Sequence, residues 1–356
     1  MSVIWRRVFA NLAPVFEWIL VMILAVIPPA IFELASHGES DIGISFIAKV
    51  VYIVSLFSIA YLFRRLYDGW GWSDFGFKRK PSFKANIGYG VTGFAIGSIV
   101  FLPFFTLLLP VYSVKVFENY RELVAGMNLL TLIALATTLL LWSALIDTAI
   151  PEEFTWRGYL QGILTKCVGD AWALLIASVV FMSMHYFANP GWHIGMVLIT
   201  LPLGLLMGLL YIETENLMPS IVMHFLFNYL YFFPMLFYIR GEHCLAYTTL
   251  IIYAIASMVI IYAQREFTKK LLHRFYTLIH GLKSEVNTVI TGIIALVLLE
   301  LFLLSMHVGK SLLTQCPSIG AGVLVASILL LAFMTHLAWK LHKNWCMICS
   351  HDLNTS

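Results

Sequence analysis

Ten stretches of about twenty mostly apolar residues recur along this chain of 356 residues, and their length constrains the fold more than any other feature. A helix rises about 1.5 Å per residue, so ~20 residues cross the hydrocarbon of a bilayer with every backbone polar group satisfied internally. The stretches run over roughly 13–35, 44–63, 86–110, 128–150, 171–187, 192–212, 218–238, 246–264, 287–307 and 318–339. They predict an all-α polytopic membrane protein. Charged residues make up only 12% of the chain, against about 25% in a soluble domain. Mean hydropathy is +0.88. The net charge of +3 gives no reason to expect nucleic acid. Pro28-Pro29, Pro103 and Pro202 are expected to kink their helices, and the fourth helix to continue through Lys166. Five scattered cysteines, including the lone Cys346-Met347-Ile348-Cys349, do not form a disulfide framework.

Lys and Arg collect on the cytoplasmic side of membrane proteins. With the N-terminus inside and ten alternating spans, 17 of the 22 Lys and Arg residues fall in cytoplasmic segments and 5 outside. Both ends are therefore predicted to be cytoplasmic. The basic loop from Arg64 to Lys84, with Trp70, Trp72 and Phe75, reads as an orientation signal with interfacial aromatics. Three regions are expected: a core over 1–264, a basic cytoplasmic linker over 265–286, and an extra helix pair with a short tail over 287–356. The linker contains Leu271, Leu272, Phe275 and Leu278 and could lie along the membrane surface.

Against this apolar background the polar residues stand out. Ionised groups at membrane depth are costly, about 2.5–3.5 kcal/mol each on insertion scales, so they tend to be functional. Pro151-Glu152-Glu153-Phe154-Thr155-Trp156-Arg157 places two acids and a base among aromatic side chains. Glu153 and Arg157 are i and i+4 on a helix, acid first, which is the favoured order for a pair. Glu152 then faces whatever lies opposite. Poor solvation beside a second acid would suit it to hold and release a proton as a general base. An ordinary charged loop is the plain alternative for these residues.

Two further i, i+4 pairs lie on apolar helices, Phe181 with His185 and His224 with Asn228. A lone histidine in such a helix is usually a hydrogen-bonded packing residue; several at compatible depth beside buried acids suggest a site. Glu152 and His185 lie 17 and 16 residues on either side of Gly169, so an antiparallel hairpin would set them level. His224 comes eight residues after Asn216, and all four groups meet only if that hairpin projects past the bilayer surface or the helices tilt strongly. Asp147 could act behind Glu152, and His193 reads as interfacial. Glu300, His307 and His336 read as helix-to-helix hydrogen-bonding groups.

The series Glu-Glu-x-x-x-Arg, Phe-x-x-x-His and His-x-x-x-Asn, over residues 149–229, resembles the CAAX protease and bacteriocin-processing family of intramembrane glutamic endopeptidases. The Trp-Arg-Gly-Tyr-Leu continuation is more similar to bacterial members, which implies a bacterial inner membrane. The resemblance implies a core of about eight spans and peptide-bond hydrolysis by a water that Glu152 activates. It implies that His185 positions the water, that His224 and Asn228 stabilise the oxyanion, and that Glu153 and Arg157 support them. It also implies a peptide or protein substrate reached from the membrane or its cytoplasmic face.

No cofactor is expected. Two histidines and a glutamate could ligate zinc, but the chain has no HExxH and Asn228 is a poor ligand. Two other functions fit a polytopic chain with buried acids: a non-proteolytic immunity or assembly factor that retains the protease fold, and a proton-coupled transporter.

Overall fold

The computed structural model describes residues 12, 15–29, 42–117, 121–188 and 196–282. Among them there is no β-strand. The helices are α1 Val15–Pro29, α2 Ile42–Asp68, α3 Phe83–Phe117, α4 Arg121–Gly126, α5 Leu129–Trp142, α6 Ile150–Glu153 and α7 Gly162–Ala188. They continue with α8 Leu201–Thr214, α9 Met218–Ile239, α10 His243–Ala263 and α11 Arg265–Gly281. Six helical runs are long and apolar enough to cross a membrane, and α1 is a shorter apolar helix. One of the six, Leu129–His185, is broken at Gly169, whose φ of 78° and ψ of 167° lie outside any helix. A side chain there would be strained by the positive φ alone, so glycine marks the turn. The protein is an all-α, multi-pass membrane protein. On α10, exposed Ile251, Ile255, Met258 and Val259 form the kind of apolar face that lipid covers.

These helices match the first eight of the ten segments expected from hydropathy. The pair over 287–307 and 318–339, Glu300, His307, His336 and the Cys346–Cys349 tail lie outside the described residues, as do Asn189–Gly191 and His193. Pro202 directly follows the wide turns of Met196–Thr200, within a helical run that continues from Val197 to Thr214. A proline inside such a run has no N–H for the carbonyl four residues back, and its ring crowds that carbonyl, so the preceding turns open.

The chain divides into two compact units, residues 1–75, 159–190 and 277–356, and residues 76–158 and 191–276. In the first, Glu17 of α1 accepts from Arg64 at 2.6 Å and from the Tyr159 hydroxyl at 2.9 Å. The Arg64 guanidinium and the Lys166 ammonium also lie on the Trp70 ring, at 4.6 and 4.1 Å. The predicted interfacial loop thus contains a buried ion pair with cation–π contacts around it.

In the second unit α3 and α9 form the most extensive helix contact. Glycines on α3 make it close. A Cβ on Gly90 would fall 2.6 Å from Val222 Cβ and 2.7 Å from the Pro219 carbonyl, and one on Gly93 would fall 2.5 Å from Leu210 Cδ1. Small residues let membrane helices approach until backbones touch. At Gly90 the obstacle is backbone, which cannot rotate away. Gly90→Ala is therefore expected to destabilise the fold by about 1–3 kcal/mol, read as a lower thermal midpoint in detergent. Beyond α8, Asn216 fastens the start of α9: its amide donates to the Lys78 carbonyl at 2.8 Å and its oxygen accepts from Met218 N at 3.0 Å. Exposed Lys78 donates to Glu215 at 2.6 Å and holds that carboxyl below its usual range.

Candidate functional site

The Glu-Glu-x-x-x-Arg segment lies on a helix of irregular pitch. Seven residues, Ser143–Ala149, form wide turns; Ile150–Glu153 returns to ordinary pitch; Phe154–Gln161 is wide again. The cause begins at Pro151. Its ring clashes with the carbonyl four residues back, and it has no N–H to bond there. The turns before it open instead, and the Ile150 N–H reaches the Leu145 carbonyl, five residues back. Thr155 Oγ1 donates to the Pro151 carbonyl at 2.7 Å, a side-chain bond that competes with the ordinary backbone ladder. Single wide turns inside helices occur often at functional sites.

The expected i, i+4 pair forms. Arg157 Nη1 donates to Glu153 Oε1 at 2.9 Å, and both side chains are essentially excluded from solvent (1% and 0% exposed). Arg157 Nη2 also donates to the Gly204 carbonyl of α8 at 3.3 Å. Spacing gives no hint of the next contact. His224 of α9, 71 residues away, places Nδ1 2.7 Å from the same Glu153 Oε1. A carboxylate only accepts, so Nδ1 carries the hydrogen and donates. One buried oxygen thus takes two charge-assisted bonds, and the imidazole is fixed in orientation and tautomer.

That orientation turns His224 Nε2 toward Glu152, whose Oε2 lies 3.8 Å away. The gap is too long for a direct hydrogen bond. Glu152 is 31% exposed, more open than its apolar sequence neighbours suggest, whereas Glu153 is completely buried. The two adjacent acids therefore differ in environment: one is completely buried between a guanidinium and an imidazole, and the other is partly exposed with its Oε2 buried. Half-buried Asn228, one turn after His224 on α9, makes no side-chain hydrogen bond with any described residue.

His185 stands in the first unit, the other five sequence-predicted residues in the second. Within its own helix its Nδ1 lies 2.9 Å from the Phe181 carbonyl, and the two ring centroids lie 4.5 Å apart with the rings tilted by 57°. The carbonyl accepts, so the ring is an Nδ1–H tautomer with its direction set by Phe181. This accounts for the Phe-x-x-x-His spacing. Asp147 is half-buried in the wide turns before Pro151. Among the described residues no group of three or more His, Cys, Asp and Glu is arranged to hold a metal ion.

A buried carboxylate shared by a guanidinium and an imidazole, with a second carboxylate 3.8 Å from that imidazole, all on membrane helices, defines an integral membrane protein built around an ionisable site. Residues 133–230 match the family model described as type II CAAX prenyl endopeptidase Rce1-like. This segment holds all three motifs, and through it the chain is similar to CAAX prenyl endopeptidases. No curated protein and no solved structure matches it.

Proposed function

We propose that the chain hydrolyses a peptide bond within the membrane by a water that Glu152 activates. The observation that carries this reading is the His224 bond to Glu153 at 2.7 Å, which leaves Nε2 facing the Glu152 carboxylate across 3.8 Å. A water about 2.8 Å from each atom fits at the apex of that gap. Glu152 takes one of its protons as the oxygen bonds to the substrate carbonyl carbon. The same proton then passes to the leaving nitrogen as the C–N bond breaks. By the resemblance of its motif, His185 is the residue that positions the water. His224 and Asn228 donate to the oxyanion. For His224 this requires the doubly protonated ring, with the Glu152 and Glu153 carboxylates together facing the imidazolium and the Arg157 guanidinium. Glu153 and Arg157 are positioning residues.

We assign the reaction to residues 1–264, with 265–286 a cytoplasmic linker and 287–356 an added region. The Lys and Arg bias supports a cytoplasmic start and end, with the site in the cytoplasmic half of a bacterial inner membrane. The substrate is a peptide or protein entering from the bilayer or its cytoplasmic face. No metal enters this mechanism, so purified enzyme should keep its activity in the presence of a strong chelator; loss that zinc restores would replace the glutamate scheme with a metal one.

The decisive experiment compares peptide termini in membranes from cells carrying the wild type or Glu152→Gln. New termini present only with the wild type support the proposal, and identical sets overturn it. Asn228 adds a quantitative test. Its amide donors are uncommitted among the described residues, so Asn228→Ala should lower kcat by about 10²–10³-fold with KM little changed, as for other oxyanion donors. A change in KM alone would make Asn228 a substrate-binding group.

A further inference from the structure

We propose that α11 is an interfacial anchor that seats one face in an anionic lipid surface. It follows α10 after a single non-helical residue, Gln264, with φ −105° and ψ 27°. The 21 residues of α10 span about 30 Å, the thickness of the hydrocarbon layer, so α11 begins at headgroup level.

Successive residues turn by about 100°, which divides α11 into three sectors. Thr268, Leu271 and Leu278 lie on one side and are buried. On the same helix Phe267 stacks on Tyr89 of α3 at 4.1 Å, and Lys270 reaches Glu213 of α8 at 2.5 Å. A second sector, centred about 95° away, holds Leu272, Tyr276 and Ile279, which are 57%, 62% and 48% exposed. Arg265 and Lys269 fall on this stripe by the same rotation, and both lie near Glu266, at 3.6 and 3.1 Å. The third sector is polar and carries His273, Thr277 and His280, all exposed.

A surface helix of a soluble protein needs two sectors, one for the core and one for water. A third, apolar and exposed, is explained by a phase other than water. Charge selects the occupant. Arg265, Lys269, Lys270 and Arg274 face a single acid, Glu266, over the length of α11. The Arg265 guanidinium also lies 5.5 Å from the ring of exposed Tyr262, at the end of α10. Basic residues flanking an aromatic and aliphatic stripe at headgroup depth match the anionic inner surface of a bilayer.

The test places the full chain, one copy per nanodisc and with its native cysteines replaced, in phosphatidylcholine with or without phosphatidylglycerol. A bimane label goes on Leu272→Cys, Tyr276→Cys or His273→Cys, and a nitroxide sits near the top of the lipid chains. The label at 272 and 276 should lose about half its fluorescence or more in the anionic discs, and that at 273 much less, because 273 lies about 100° around the helix. The wild-type chain gives an independent readout. Deuterium uptake over 265–281 should slow about threefold or more as anionic lipid rises from none to about 30%, and salt should partly reverse this. Equal quenching at 272 and 273, or uptake indifferent to lipid charge, would overturn the proposal. So would protection that requires two copies in one disc, which would assign the stripe to a second chain.

Discussion

Glu152→Gln is expected to lower the cleavage rate by about 10²–10⁴-fold while leaving the thermal midpoint within a degree or two of the wild type. The side chains have the same shape, and a carboxamide still donates and accepts hydrogen bonds. What it lacks is the basicity to take a proton from water. Glu152 is partly exposed, at 31%, and a side chain of the same shape keeps most of what holds the helices together. The neighbouring Glu153→Gln is the informative control. It leaves the Arg157 guanidinium buried without its countercharge and weakens the bond that orients His224. It should therefore lower stability and activity together. A stable, inactive Glu152→Gln beside an unstable Glu153→Gln would separate a reacting group from a positioning one. Wild-type turnover in Glu152→Gln would remove Glu152 from the role of base.

Much of this architecture was legible in the sequence, because membrane helices must be long and apolar and leave a hydropathy record of their own length. Glu153 with Arg157, and Phe181 with His185, were legible for a related reason: four residues along a helix return to the same face. The contacts that turn these residues into a site were not. Glu153 accepts from His224 71 residues away, and no periodicity links α6 to α9. Arg157 reaches a backbone carbonyl on α8, which has no side-chain signature at all. The disturbance of the helix around Pro151 was not legible in the sequence. The wide turns on either side of Glu152 arise from how the preceding carbonyls find new partners, and that depends on the packing around them. Pro202, like Pro151, is preceded by wide turns, a form of disturbance that hydropathy does not record.

Removing Arg157 should have the largest effect on stability of any single change in the site. Its guanidinium is fully buried, bonded to Glu153 at 2.9 Å and to the Gly204 carbonyl at 3.3 Å. Arg157→Leu would leave a carboxylate in a dry interior with only an imidazole for company. Breaking such a pair from one side typically costs about 3–5 kcal/mol, most of it the penalty of the stranded charge rather than the worth of the bond. Replacing both partners by apolar residues of similar volume removes that penalty. Glu153→Leu with Arg157→Leu should therefore recover much of the lost thermal midpoint, a non-additivity that a double-mutant cycle measures directly. Activity should not recover with it. Without the Glu153 oxygen, His224 Nδ1 has lost its 2.7 Å partner, and nothing holds Nε2 toward Glu152. A double variant that folds well and cleaves poorly would show that this ion pair serves orientation of the imidazole as much as cohesion of the fold. If instead Arg157→Leu unfolds no earlier than the wild type, the buried carboxylate is balanced by something other than Arg157, and the arrangement of charge around Glu152 must be redrawn.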